Sequence, residues 1–172
     1  MRSAKPYTNA TFTKRVDHEA GRHRGARTPK GVRVCRDCRA VYVNHRWSHV
    51  LPPPRAGAKP VVVELTECPA CRMAAARQYA GELRLSGSYV AAHRLEIERL
   101  LRNEAGRAAE DNPIGRILTW EHPSPERLVV TTTTEHLAKR LGSALHKACS
   151  GSVHYGFSHE NKFAHVTWKR DV

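Results

Sequence analysis

Val34-Cys35-Arg36-Asp37-Cys38-Arg39 and Glu67-Cys68-Pro69-Ala70-Cys71-Arg72 each carry two cysteines separated by two residues. A C-x-x-C turn can bring two thiolates to one ion at about 2.3 Å, and two such turns complete a tetrahedron. The 29 residues between Cys38 and Cys68 exceed the roughly 15–20 of compact ribbons. The proline-rich stretch 51–60 supplies the surplus. Arg33, Arg36, Arg39 and Arg72 flank the cysteines; positive charge there lowers thiol pKa and offsets four thiolates. The competing chemistries are a four-thiolate iron centre and a redox-active dithiol. The dithiol reading expects one C-x-x-C at a helix start within a βαβ unit, not two in ribbon context. Four cysteine ligands leave no open position, so the metal, read as one Zn2+ through Cys35, Cys38, Cys68 and Cys71, is structural rather than catalytic.

Outward from the cysteines, short strands are expected around Val32 and Val34, over Ala40–Val43 and over Val61–Leu65. His45-Arg46-Trp47-Ser48-His49 continues or turns the second of these. Residues 73–88 read as a link, with a short helix from Met73 ended at Gly81. The domain division expected is 1–32, a basic flexible tail; 33–88, the four-cysteine zinc ribbon and link; and 89–172, an α+β domain.

That last domain opens with a helix over 89–110. Val90, His93, Ile97, Leu100, Leu101 and Ala108 share one face at a 3.6-residue period. Asn112-Pro113 ends it. Strands over 117–122 and 127–132 follow, the latter rich in β-branched residues. A second helix is capped by Thr133 or Thr134, carries Leu137, Leu141, Leu145, Ala148 and Cys149 on one stripe and stops at Gly151. Strands 153–158 and 162–169 close the chain around a hairpin loop at 158–161. Helix-strand-strand therefore occurs twice. The fold class expected is α+β: a zinc ribbon of short β-strands, then an αββαββ domain with a four-stranded sheet, both helices on one face and the other face partly open.

The chain has 172 residues and a formal net charge of +13. Residues 1–88 hold 17 Lys and Arg against 6 Asp and Glu; residues 89–172 hold 12 against 10. So large an excess in one half predicts attraction to polyanions, chiefly nucleic acid. The tail residues Lys14, Arg15, Arg22, Arg24, Arg27 and Lys30, with Arg33, are candidate phosphate contacts. Arg46 and Trp47 are candidates for stacking on an unpaired base, because a guanidinium and an indole both present flat faces. Trp120, Trp168, Tyr42 and Tyr155 offer similar rings, with core packing as the more usual fate.

No stretch approaches the ~18 apolar residues of a membrane span, and MRSAKPYTNATFTKR contains no apolar signal region. A cytoplasmic protein without membrane contact is expected. Eleven histidines are present, among them His45 and His49 near the ribbon and His154, His159 and His165 in the last hairpin. None has the spacing of a catalytic metal motif, and no phosphate-binding glycine loop occurs. His159-Glu160 has no nucleophile beside it. No catalytic residue is assigned, and the protein is expected not to be an enzyme.

The segments VCRDCRAVYVNHRW, ECPAC, YAGELRLSGSY, HRLEIERL, TTTTEHLAKRLGSALHKACSG and AHVTWKR resemble a family of bacterial zinc-ribbon proteins of unsettled activity, over about residues 14–170. More distantly, two knuckles followed by an α+β unit are similar to the N-terminal part of the archaeal and eukaryotic adaptor family that escorts the large ribosomal subunit. Those adaptors carry more C-x-x-C pairs. The resemblance implies metal ligation by Cys35, Cys38, Cys68 and Cys71 and a ribosomal partner, and it places no other residue. Together these readings favour a non-enzymatic RNA-binding or ribosome-associated protein whose C-terminal domain can meet a protein partner. The rivals are a DNA-binding transcriptional regulator and, last, an enzyme using the C-terminal histidines.

Overall fold

A computed structural model of the chain describes residues 31–51, 53, 62–158 and 162–172. The tail residues Lys14, Arg15, Arg22, Arg24, Arg27 and Lys30, most of the proline-rich loop and His159 lie outside the described residues. Among those described, no helix is long and apolar enough to cross a membrane.

The fold is mixed α+β with two sheets, as the chain's patterning led us to expect. The first contains β1 (Val32–Cys35), β2 (Val41–Val43), β3 (Arg46–Ser48) and β4 (Val63–Thr66) in the order β3-β2-β1-β4. Asn44 and His45 both have positive φ, 51° and 62°. Two such residues make the tight hairpin turn whose twist matches its strands, so Arg46-Trp47-Ser48 returns along β2 instead of extending it. β1 and β4 are parallel, with Cys35 level with Thr66. Parallel pairing is what delivers both C-x-x-C turns to the same end of the sheet.

The second knuckle is not a strand turn. Cys68 is the N-cap of helix α1 (Pro69–Ala75), its sulfur accepting from the Cys71 amide at 3.4 Å, and Pro69 occupies the first helical turn. Proline is suited to that position because its missing N–H has no intrahelical acceptor there.

The second unit differs from expectation in its sheet and in its first helix. Its sheet has five strands, not four: β5 (Gly81–Ser86), β6 (Ile117–Ser124), β7 (Arg127–Thr132), β8 (Ser152–Ser158) and β9 (Phe163–Lys169), in the order β6-β7-β5-β9-β8. The central strand β5 lies in the stretch read from sequence as a link. The boundary drawn between residues 88 and 89 therefore falls behind a strand that pairs antiparallel with β7 and parallel with β9. Leu83 and Leu85 alternate with Glu82 and Arg84 along it. Two apolar residues are too few to announce a strand alone, and only its two neighbours make it one. The duplicated helix-strand-strand units do appear, and in each hairpin the second strand lies inside, against β5.

The helix expected over 89–110 is two: α2 (Ser88–Ala92) and α3 (Arg94–Asp111), separated at His93, whose φ is −122°. Gly87, at φ +115°, turns β5 into α2 beside the Arg170 carbonyl, where a Cβ would come within 2.0 Å of oxygen. Only glycine adopts that conformation at no steric cost. Helix α4 (Glu135–Cys149) is capped by the Thr134 hydroxyl, which accepts from the Leu137 amide at 3.3 Å. Leu83, Leu85, Leu128, Val130, Ala164, Val166 and Trp168 from the strands close with Val90, Ile97, Leu101, Leu137, Ala138, Leu141 and Leu145 into one core. Cys149 rests half-buried against it, while Ala148 is exposed. Strand neighbours of opposite parity, such as Arg84, His165 and Thr167, are exposed on the other face of the sheet.

Candidate metal centre

The four cysteines of the two C-x-x-C turns converge. Their sulfurs all lie within 4.8 Å of one another; Cys35 and Cys71 are 3.8 Å apart and Cys38 and Cys68 3.6 Å. A tetrahedral ion with sulfur at 2.3 Å sets sulfurs about 3.8 Å apart, whereas a disulfide needs about 2.05 Å. The cluster therefore has the dimensions of a four-thiolate metal site. Among the described residues it is the one group of three or more Cys, His, Asp or Glu side chains close enough to share an ion. The second C-x-x-C does sit at a helix start, the feature expected of a redox dithiol, yet its sulfurs face the other pair.

Local backbone geometry builds the cluster. The Cys35 amide donates to Ala40 O at 2.8 Å and Arg39 N donates back to Cys35 O at 3.0 Å, with Arg39 in the left-handed region at φ 63°. The Cys68 amide donates to Cys35 Sγ at 3.3 Å, joining the two turns. Burial pushes the Cys35 thiol up, but amide hydrogen bonds from Cys38, Cys68 and Asp37 outweigh it and bring the thiol down to about 6. Burial pushes the Cys68 and Cys71 thiols up. A cation that replaces these protons recovers that cost, because metal ligation needs the thiolate.

One participant was not legible in the sequence. Arg116 lies in the connection between α3 and β6, 45 residues from Cys71, and its Nη1 donates to Cys71 Sγ at 3.6 Å. It is held there by its Nε donating to Pro113 O at 2.8 Å and its amide donating to Thr133 Oγ1 at 2.8 Å. Burial works against its charge, but the Cys38, Cys68 and Cys71 sulfurs outweigh that and raise its pKa. Ile114, from the same connection, covers the cluster with Trp47. The α+β unit thus supplies a cation and an apolar lid to the centre. Replacing Arg116 with glutamine is expected to weaken metal retention roughly ten-fold, in the range seen when a group hydrogen-bonded to a ligand is removed; competition against a chromophoric chelator measures it.

Of the four cations expected around the cysteines, two have acidic partners. Arg33 pairs with Glu64 at 2.7 Å, its neighbour in register across β1 and β4, and its Nε is buried without a hydrogen bond. Arg72 stands 3.9 Å from Glu67, and Arg36 and Arg39 are exposed. Arg46 is exposed. Trp47 is half-buried, using one side against the cysteine cluster and tilting against Tyr42 at 5.3 Å. Trp168 is fully buried and Tyr42 nearly so. Trp120 lies under the Arg102 guanidinium at 4.6 Å. His154 and His165 share a sheet face but are not opposite: His154 faces Thr167 and His165 faces Gly156.

No family model, curated protein or solved structure matches this chain.

Proposed function

We propose that the cysteine centre holds one structural zinc ion and that the protein is a non-enzymatic, ribosome-associated RNA-binding protein of the cytoplasm. Zinc suits the site because four thiolates in a tetrahedron satisfy a metal that has no redox chemistry and no need of an open position. The observation that carries the RNA reading is the charge split: 17 cations against 6 acids in residues 1–88, on the half of the chain that contains the cysteines. The resemblance to the bacterial zinc-ribbon family and, more distantly, to the ribosomal adaptors supports the same direction. The cations of the tail, with exposed Arg46 on the β2–β3 hairpin, supply phosphate contacts.

Residues 1–30 contain 8 Lys and Arg against 2 Asp and Glu. If about five of these cations sit on phosphates, log affinity falls with log salt at a slope of about −4. Removing residues 1–30, which spares β1, is expected to flatten that slope and to weaken binding to all sequences alike, because phosphate contacts position a protein without specifying a base. Fluorescence anisotropy across salt concentrations, with intact and shortened protein on ribosomal RNA fragments and duplex DNA, decides it. Equal slopes would remove the tail from the interface. Tighter binding to duplex DNA than to any RNA would favour a DNA-binding regulator.

A further inference from the structure

The open face of the five-stranded sheet carries a cleft of about 490 Å3. It forms where the chain leaving α1 rises over the sheet, and its lining includes Arg77, Tyr79, Glu82, Thr119 and Thr131. The floor is polar. Thr119 and Thr131 join hydroxyls at 2.7 Å across β6 and β7. Beside them Glu82, only 7% exposed, is held by the Arg84 guanidinium and lies 3.8 Å from His165 Nδ1. One wall is aromatic. Tyr79 is 39% exposed and meets Phe163 edge-on at 5.5 Å, and Phe163 tilts against His165 at 4.5 Å.

These features have no role in the core, whose residues all lie on the other face. A carboxylate this buried costs solvation that a purely structural surface position would not incur. A half-exposed tyrosine ring beside it offers a flat apolar surface, and the exposed Arg77 lines the cleft together with the exposed Glu121. Ring, hydrogen-bonding floor and cations are the three parts by which proteins hold an unpaired base and its phosphate. The floor also discriminates. A carboxylate only accepts hydrogen bonds. The Watson–Crick edge of guanine presents two adjacent donors, N1–H and the N2 amino group, whereas that of uracil presents one donor between two acceptors.

The geometry points to this cleft as the binding site for one unpaired guanine of a single-stranded RNA, stacked on Tyr79 and read by the Glu82 carboxylate. The inference rests on the RNA-binding reading above and adds to it a place and a base. It also assigns the specificity to the α+β unit, away from the charged tail.

The test uses full-length protein and a fluorescent short oligouridine with one central guanine. Plain oligouridine and the guanine strand annealed to its complement serve as comparisons. The guanine strand is expected to bind roughly ten-fold tighter than plain oligouridine, and pairing removes the advantage. Tyr79→Ala lowers affinity for both single strands by roughly five-fold or more, since stacking accepts any base, and Tyr79→Phe does not. Glu82→Gln abolishes the guanine preference, bringing the affinities for the two single strands together. Because a cleft variant can disturb the sheet, guanosine monophosphate is also titrated into the unsubstituted protein, with amide shifts expected at Glu82, Thr119 and Thr131. RNA binding without a guanine preference, or shifts confined to other residues, would overturn the cleft and spare the RNA reading. No binding to any RNA at low salt would overturn both.

Discussion

Replacing Cys68 with serine is expected to empty the metal centre and unfold residues 32–75 while β5–β9 remain folded. Cys68 is fully buried and acts three ways at once. Its sulfur is one of the four, 3.6 Å from that of Cys38; it caps α1 by accepting from Cys71 N; and its amide donates to Cys35 Sγ. Among the described residues, the buried cluster around it contains Cys35, Ala40, Cys68 and Ala70, with four partly buried neighbours. Burial of that much apolar surface is worth a few kcal/mol at about 25 cal/mol per Å2, less than the ordering entropy of the strands it must hold. Structural zinc contributes on the order of 10–16 kcal/mol in such modules, so its loss decides the outcome. Elemental analysis should fall from about one equivalent of zinc per chain to near none. Hydrogen exchange should show β1 to β4 unprotected and β5 to β9 unchanged. A stoichiometric metal content that survives Cys35→Ala and Cys68→Ala together would rule out the four-cysteine site.

Cutting the chain between residues 88 and 89 is expected to unfold what remains, whereas a cut before Arg77 should leave a fragment that folds without metal. The first cut removes β5. That strand is paired from Gly81 to Ser86 with β7 on one side and with β9 on the other, so its loss opens two ladders and splits the sheet into separate hairpins. It also removes Leu83 and Leu85, 0% and 1% exposed. Truncating one buried leucine to alanine costs about 2–5 kcal/mol, and a domain has only about 5–15 kcal/mol in all. The longer fragment keeps all five strands and α2, α3 and α4, the whole of the larger core. Circular dichroism and thermal melting of the two fragments separate the cases. A cooperative melt from residues 89–172 alone would show that β5 is dispensable.

The two predictions differ in how far sequence could have foreseen them. The ligand set is legible because C-x-x-C is a local geometric device: two residues between cysteines suffice to aim both sulfurs at one point. The same holds for β7, whose bounds at Arg127 and Thr132 agree with its β-branched run, and for α4, whose leucine stripe is buried through Leu145. Each signal is complete within a few residues. The break at His93 was not, because the apolar face of Val90, Ile97 and Leu101 runs on through it and conceals the non-helical backbone there.

What the sequence alone determined is therefore the four cysteines of the candidate metal centre, the class of nearly every element and the uneven charge. Only the tertiary structure decided that Gly81–Ser86 is the middle of a sheet, that Arg116 reaches Cys71, and that Tyr79 and Glu82 line one cleft. Periodicity records which face of a segment is buried, and spacing records which side chains share a turn. Neither records which distant segment supplies the neighbour. β5 becomes a central strand through partners more than 40 residues away in β7 and more than 80 away in β9, and Arg116 joins the candidate metal centre because the α3–β6 connection comes to rest against the cysteines. Those placements follow from how the core closes, a property of the whole chain that no local pattern contains.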